Sequence, residues 1–541
     1  MESKMDTKKY RTSSYTIYVK LEDKENNYLL VHGYTGAIDQ ASANVVDFLQ
    51  KNRVYTKGDE LPFSEATFNL LEERGYITEK SPMEEKETVK TMAEFFHKRD
   101  ATRKNFLFLV AYDCNFRCPY CFENEISSNG KGWSKKVFTK TAVDRAYQTM
   151  LELEPNEDLH SKQIILYGGE PLLASNKSIV KYIVEQGYEK GYHFKAITNG
   201  YDLEHYKDLI HPNYINKLQI TVDGDRETHD SRRTHFETGL SYDKIMENIA
   251  WALEAGVYIA VRINTDLNNF DQIKTVRAHF DELGFFEYDR FRVYSALIHG
   301  DSEMNCNAVM AAKKEETPAT SIKPVEQKEK PENGIDPTEQ YINFEEEQAA
   351  FEGVGMNGNG IVFHDDQAEI HKQTDFIQTI SRSKYISKHF KAVAEDPKME
   401  AISCQDFGIR HKIKKALKEK GLVEFKSTFC SAQNGMMIFD PYGDLYTCWE
   451  TVGMDQHIVG SYRDGLELDE EELENWYGRN ISKTPACSRC KYAFFCGGGC
   501  QAHALREGRG YNAPYCDGYP RTFQKVTSDV YKSFVEEQVP T

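Results

Sequence analysis

The chain has 541 residues, of which 40% are hydrophobic, 12% aromatic and 28% charged, a composition that fits a folded chain of roughly three or four domains. Its formal net charge of −18 argues against DNA or RNA as a partner, because neutralising phosphates takes an excess of Lys and Arg. No apolar run approaches the roughly 20 residues of a membrane span, and the opening "MESKMDTKKYRTSSYT" lacks a signal peptide's apolar core, so a cytoplasmic protein with no membrane partner is expected.

In chain order, "SSYTIYVKLED" and "NYLLVHGYTG" read as strands joined by a polar turn at Asn26–Asn27. "ASANVVDFLQKN" and "SEATFNLLEERGYI" then space their apolar residues as helices do. Together they predict a small winged-helix-like domain over residues 1–95, with the charged stretch 82–100 as a linker. From 105 to 298 six β runs alternate with helical patterns: "NFLFLVAY", "QIILYGG", "FKAITNG", "KLQITVDG", "YIAVRINTD" and "RFRVYSALI". Such alternation argues for parallel strands with right-handed crossovers. Six are too few to close an eight-stranded barrel, so an α/β fold with a partial (β/α)6 TIM-like barrel is expected over 96–300. Residues 311–340 are rich in Lys, Glu and Pro, which predicts disorder. Helical patterns such as "HKIKKALKEKGL" follow, so 301–425 reads as a linker with a helical bridge. A cysteine-rich domain at 426–525 and a tail at 526–541 complete the chain.

The twelve cysteines are clustered: Cys114, Cys118 and Cys121, then Cys306 and Cys404 alone, then seven between Cys430 and Cys516. In a reducing compartment such clusters are more often metal ligands than disulfides. Zinc ligands usually come as closely spaced cysteine pairs, whereas "DCNFRCPYCF" has the spacing Cys-x3-Cys-x2-Cys. Three thiolates on a four-iron cubane leave one iron open. Further polar motifs end the following predicted strands: "YGGEP" (Gly168, Gly169, Glu170, Pro171), "TNG" (Thr198, Asn199, Gly200), "TVDG" (Thr221, Asp223) and "VRIN" (Arg262, Asn264). The C-terminal ends of barrel strands are where such folds build active sites.

The cysteine triplet, with Tyr120 before its last member and these motifs in this order, resembles the radical S-adenosylmethionine (SAM) superfamily. The resemblance implies that Cys114, Cys118 and Cys121 hold a 4Fe–4S cluster whose open iron binds SAM. It implies that the motif of Glu170 holds the methionine amino group, and that the later motifs touch the ribose and carboxylate. One electron from a flavodoxin- or ferredoxin-type donor would then split SAM, and the resulting 5′-deoxyadenosyl radical would take hydrogen from a carbon.

At the other end, "CSAQNGMMIFDPYGDLYTC" and "CSRCKYAFFCGGGC" give Cys430-x12-Gly443-x4-Cys448 and Cys487-x2-Cys490-x5-Cys496-x3-Cys500, followed by Cys516. The pattern resembles the SPASM extension of radical SAM enzymes, which implies two auxiliary 4Fe–4S clusters and three in all. By resemblance Cys487, Cys490, Cys496 and Cys516 hold one, and Cys430, Cys448 and Cys500 the other. Two cubanes need eight ligands. Either Cys404 or Cys306 completes the set, or an iron stays open for a substrate thiolate.

The N-terminal domain resembles the element by which enzymes that modify ribosomally made peptides (RiPPs) take up a precursor's leader as an added strand. "YLLVHGYTGAIDQAS" looks like the opening of thioether-forming maturases of the sactipeptide and ranthipeptide type. The groove is expected between the strand near Tyr28–His32 and the helix near Phe68–Leu71. Sulfatase-modifying relatives carry an Asp directly after the second cysteine of the extension, where this chain has Trp449. The implied function is a sulfur-to-carbon cross-link in a cysteine-rich precursor, with the auxiliary clusters accepting the released electron or holding the thiolate. The alternatives are a carbon–carbon link, an epimerisation, a sulfatase-like Ser/Cys oxidation, or a non-catalytic zinc protein that binds peptide or DNA.

Overall fold

A computed structural model describes residues 8–21, 27–51, 54–56, 59–121, 133–298 and 378–538. Cys306, the stretch 311–340 and the first part of the expected helical bridge lie outside the described residues. The chain opens with β1 (Lys9–Thr12), β2 (Thr16–Lys20), β3 (Asn27–His32), β4 (Ile38–Ser42), α1 (Ala43–Lys51), β5 (Tyr55–Thr56), α2 (Glu65–Glu73) and β6 (Ile77–Thr78). They form two small sheets, β2-β3-β4 and β5-β1-β6. Strand alternation sends successive side chains to opposite faces. Leu29 and Val31 of β3 join Ile17 and Val19 in the main core, and Leu30 turns the other way to Val46, Phe68 and Leu71. The groove expected between β3 and α2 is therefore closed by the protein's own core. With β3 paired on both sides, this sheet can gain a strand only at the outer edge of β2 or β4.

The stretch expected as a linker is α3 (Pro82–Ala101). Ser81 and Glu84 form a capping box with Pro at the first turn, a strong start signal for a helix. Most of its charged residues face water, while Glu85, Val89 and Ala93, spaced four apart, are buried. Glu85 accepts from Ser13 Oγ at 2.5 Å, from the Ser14 N–H at 3.1 Å and from Tyr34 O–H at 3.1 Å, and pairs with Arg11. That carboxylate fastens the β1–β2 and β3–β4 turns to α3. The unit then docks on the C-terminal region: Tyr15 O–H donates to the Ser488 carbonyl at 3.0 Å, and Gly33 lies so close to the Lys491 carbonyl that a Cβ would collide with it.

The barrel comprises β7 (Asn105–Ala111), α4 (Lys140–Leu153), β8 (Gln163–Gly168), α5 (Lys177–Glu189), β9 (His193–Thr198), β10 (Ile215–Thr221), α6 (Arg226–Arg232), α7 (Tyr242–Glu254), β11 (Tyr258–Thr265), α8 (Gln272–Glu282) and β12 (Phe291–Leu297). All six expected strands are present, in parallel and in sequence order. Further on come α9 (Arg382–Glu395), β13 (Ile402–Cys404), α10 (Ile409–Lys418), β14 (Met436–Phe439), β15 (Asp444–Tyr446), β16 (Gly460–Ser461), β17 (Glu467–Leu468), α11 (Glu470–Tyr477), α12 (Ala493–Cys496), α13 (Gln501–Arg506) and α14 (Tyr519–Gln538).

Here the structure departs from the six-strand expectation. β13 adds in parallel beside β12, and β14 adds in parallel beside β7. The result is one open eleven-stranded sheet, β13-β12-β11-β10-β9-β8-β7-β14-β15-β16-β17. "ISC" and "MMIF" are too short to show a periodicity. The expected tail is also structured, because α14 runs through it and buries Phe523, Val526 and Val530.

Replacing Glu85 by Ala removes a fully buried carboxylate and strands Arg11, a change that costs about 3 kcal/mol. A lower urea midpoint, together with faster proteolysis near residue 80, is the expected outcome; an unchanged midpoint would mean that Glu85 does not hold the N-terminal unit in place.

Candidate functional site

β7 delivers the first cysteine group at its C-terminal end. Gly168 has φ of +135°, and both it and Gly169 lie against backbone carbonyls of β7 and its extension, Ala111 and Asp113. Any side chain there would collide, so the glycines serve the approach of chain to chain. The Gly169 N–H donates to the Ala111 carbonyl at 3.0 Å and the Glu170 N–H to the Asp113 carbonyl at 2.9 Å. β8 is thereby stitched to the first residue of the cysteine loop. Tyr112, two residues before Cys114, donates to Asp440 at 2.9 Å, in the β14–β15 turn. Asp440 also accepts from the Tyr442 and Asp444 N–H groups, and burial still pushes its pKa up to about 7.

Glu170 is buried behind this loop. It accepts from Thr198 Oγ1 at 2.6 Å, the Asn199 N–H at 2.6 Å and the Leu172 N–H at 2.9 Å. Burial raises its pKa to about 7 against these three donors. Its carboxylate thus holds the end of β9 rather than standing open. Pro171 is buried beside it, its carbonyl facing Asn176 Nδ2 at 3.5 Å. Asn199 donates to Asn115 Oδ1 at 2.7 Å and lies 4.0 Å from Cys114 Sγ. Gly168, Gly169, Glu170, Thr198, Asn199 and Cys114 therefore meet in one place.

A second group meets at Tyr120. Its hydroxyl bonds Asp223, accepts from Arg233 Nη1 at 2.9 Å, and faces Asn264 Nδ2 at 3.4 Å. Asp223 accepts the Asn264 N–H at 2.9 Å, Arg262 Nε donates to Asn264 Oδ1 at 2.7 Å, and Arg232 pairs with Asp266 at 3.2 Å. Thr221 stands beside Arg262 in register. Burial works against the Arg233 charge, but Tyr120, Cys118 and Asp223 outweigh it and raise its pKa. Arg232 and Arg233 were not anticipated from the sequence. The adjacent pair in "SRRTH" is the signal that was available, and α6 is what carries it to the loop. Burial, and then Glu170, raises the Cys114 thiol well above its ordinary pKa; burial also raises Cys118, with Arg233 opposing.

Among the C-terminal cysteines, the strongest thiol–thiol interactions run within two groups. Cys487 is raised by burial and then by Cys490, Cys496 and Cys516; Cys448 is raised by burial and then by Cys500 and Cys430. Two cations, the buried Arg479 and the half-buried Lys426, interact with thiols of both groups. Arg479 donates to the carbonyls of Gly499, Gly498 and Ala513. Burial lowers the pKa of both Arg479 and Lys426, and the strongest charges favouring their cationic forms are thiols, among them Cys430 and Cys496. Cys404 lies elsewhere, in register with Ser295 and beside Tyr385. Burial pushes its pKa up to about 12, and the charges acting most strongly on it are Asp406, Arg410 and Asp529, with no cysteine among them. Trp449 is partly exposed and lies 6.2 Å, ring to ring, from Tyr167 on β8. Glu450 is held by Arg506 at 2.6 Å.

Among the described residues, no three His, Cys, Asp or Glu side chains converge tightly enough to hold a single ion. A cubane is wider than an ion, and the donor sets fit one chemically. Buried cations without carboxylate partners are costly, and cysteines bound to iron become thiolates that supply the missing negative charge.

Residues 108–279 match the model of the Radical SAM superfamily, so the barrel carries a radical SAM domain. The chain is 27% identical over 143 residues to a putative glycyl-radical enzyme activating enzyme of Methanocaldococcus jannaschii, covering 26% of this chain and 48% of that protein. It is 27% identical over 168 residues to a cysteine-type anaerobic sulfatase-maturating enzyme of Clostridium novyi, covering 28% of this chain and 42% of that one. The matches thus span less than half the length of these curated relatives. The fold is also similar to a solved structure of anSMEcpe with bound AdoMet, with a TM-score of 0.50 and 15% identity over 81% of this chain and 96% of that one. No described helix is long and apolar enough to cross a membrane.

The raised pKa of Asp440 sets a pH dependence. Between the unfolded carboxyl pKa near 4 and the folded value of about 7 the native state binds more protons, so stability falls as pH rises through that window. Urea midpoints measured at pH 5 and pH 7 are expected to drop less in Asp440→Asn than in the parent; equal drops would assign the effect to other groups.

Proposed function

We propose that the protein is a radical SAM maturase that installs sulfur-to-carbon thioether cross-links in a cysteine-rich precursor peptide. The observation that carries this reading is the three-cysteine loop at the end of β7, held between the arm of Glu170, Thr198 and Asn199 and the network of Tyr120, Asp223 and Asn264. It lies within the matched domain. Cys114, Cys118 and Cys121 would hold the SAM-binding 4Fe–4S cluster. Cys487, Cys490, Cys496 and Cys516 would hold one auxiliary cluster, and Cys430, Cys448 and Cys500 the other. When bound and reduced, the SAM-binding cluster supplies the electron that splits SAM and frees a 5′-deoxyadenosyl radical.

The chain's own residues position the reactants. Glu170 fixes the ends of β8 and β9, and the motif that carries it would hold the methionine end of SAM. Asp223 and Asn264 hold Tyr120 rigid, and Arg233 gives this wall positive charge beside Cys118. In the overall change a carbon would lose a hydrogen atom to the 5′-deoxyadenosyl radical, which becomes 5′-deoxyadenosine; a thiol would lose a proton, the C–S bond would form, and the one electron released would pass to the auxiliary clusters. The N-terminal unit would take the leader as an added strand at the outer edge of β2 or β4, since both faces of that sheet are covered. A flavodoxin- or ferredoxin-type donor would supply electrons in the cytoplasm. A sulfatase-like oxidation ranks second: the position after Cys448 is Trp449, and the next carboxylate, Glu450, is already paired with Arg506.

Anaerobically reconstituted protein is expected to be brown with about twelve irons per chain, the sum of three cubanes. Incubated with SAM, reductant and a cysteine-rich precursor, it should release 5′-deoxyadenosine and a peptide lighter by two hydrogens per link. A peptide of unchanged mass would replace cross-linking by epimerisation, and a colourless zinc-loaded protein would end the reading. Cys118→Ala should lose about four irons and all 5′-deoxyadenosine while keeping visible absorbance from the remainder; full retention of iron would remove Cys118 from the donor set.

A further inference from the structure

We infer that the concave face of the barrel is a carboxylate-binding subsite, and that the substrate it fits is a peptide with an Asp or Glu side chain close to the residue being modified. The inference rests on the peptide-maturase reading and adds the substrate's chemical class. It comes from the strand sequences and their registers.

Along β7–β12 alternate residues are fully buried under the helices. Phe108, Leu166, Phe194, Leu218, Ile220 and Val261 share one core with residues of α4, α5, α7 and α8. The intervening residues line the opposite, concave face. In a chain with 85 acidic and 67 basic residues, β7–β12 contain no Asp or Glu and four cations: Lys195, Lys217, Arg262 and Arg292. All four fall on the concave face. Arg262 is engaged with Asn264 at the rim. The other three lie below it and make no ion pair among the described residues.

Lys195 and Lys217 stand side by side in register on β9 and β10. One step up, Gln219 is level with Ala260, which is level with Arg292. Lys195 Nζ donates to Gln219 Oε1 at 3.2 Å, which leaves the Gln219 amide hydrogens to face a ligand. Burial lowers the Lys195 pKa, and Lys217 lowers it further. Two neighbouring ammonium groups on a partly buried wall repel one another, and an anion between them removes that cost. A carboxylate accepts from two lysines and one amide at once, as charge-assisted hydrogen bonding favours. The pair lies four residues below Asn199 and Thr221 on the same strands, about 13 Å away, so an Asp or Glu a few residues along an extended peptide from the modified position would reach it.

The test uses SAM-saturated, iron-replete protein and fluorescein-labelled peptides of Gly, Ser and Cys. One peptide carries two Asp, its twin two Asn, and each is made with a free or an amidated C-terminus. Fluorescence anisotropy is expected to show at least about tenfold tighter binding of the Asp peptide with either terminus, and a weakening of that preference with added salt. In Lys195→Gln/Lys217→Gln the Asp preference should shrink to within about twofold, with iron content and visible spectrum as in the parent. Equal affinity for the Asp and Asn peptides overturns the inference, as does a preference that follows the free C-terminus alone or one that survives the double substitution. The peptide-maturase reading is judged separately by 5′-deoxyadenosine and by product mass, so either can fail while the other stands.

Discussion

β14 hydrogen-bonds along β7 in parallel, with Met436 opposite Asn105 and Phe439 opposite Phe108, and much of the remaining structure hangs from that seam. It begins where the Asn105 N–H donates to the Gly435 carbonyl at 2.8 Å. Gly435 has φ of +143° and lies against the Arg103 carbonyl, so no other residue fits there without moving the backbone. The seam places three cysteine positions by chain continuity. Cys114 follows β7, Cys430 precedes β14, and Cys448 follows the antiparallel return strand β15. Tyr112 and Asp440 bond across the same seam. The barrel and the cysteine-rich region are therefore continuous through a shared sheet, and a shift in β14 would move thiols at both ends of the chain.

A second attachment closes the arrangement from the N-terminal side. Tyr15, Tyr34, Val89 and Ala93 form one apolar cluster with Cys487, Ala493 and Phe494. The N-terminal unit thus packs directly on Cys487, one of the proposed auxiliary ligands. Burial of Glu85 has the same logic. A carboxylate that takes four partners from two turns and an arginine gives those turns one arrangement, and the apolar cluster transmits it to the loop at Cys487.

The sequence made the barrel strands legible because each is six to eight residues long and rich in β-branched or aromatic residues. The motifs at their ends were legible for a related reason: polar and glycine residues directly after an apolar run have few structural uses there. Other features left no such trace. β13 and β14 are three and four residues long, and their place in the sheet comes from tertiary pairing. α3 looked like a linker because its charged residues outnumber the three that it buries. The groove between β3 and α2 failed as an expectation because Leu30 points between them, a matter of strand register. Arg479 and Lys426 were invisible because a lone cation in sequence says nothing of the thiols that surround it after folding.

Those two cations bear on the vacancy among the C-terminal ligands. Seven C-terminal thiols were expected to serve two sets, and Cys404, one candidate for an eighth ligand, lies beside Tyr385 with carboxylate and guanidinium neighbours. Its burial holds it as a thiol. Cys430 is also raised by burial, with Arg479 and Lys426 among the groups opposing it. Cys404 is set apart by its neighbours, Asp406, Arg410 and Asp529, rather than by its shift, which Cys490 and Cys500 share. Cys404 thus keeps company with charged groups rather than with Cys430, Cys448 and Cys500, and Cys306 lies outside the described residues.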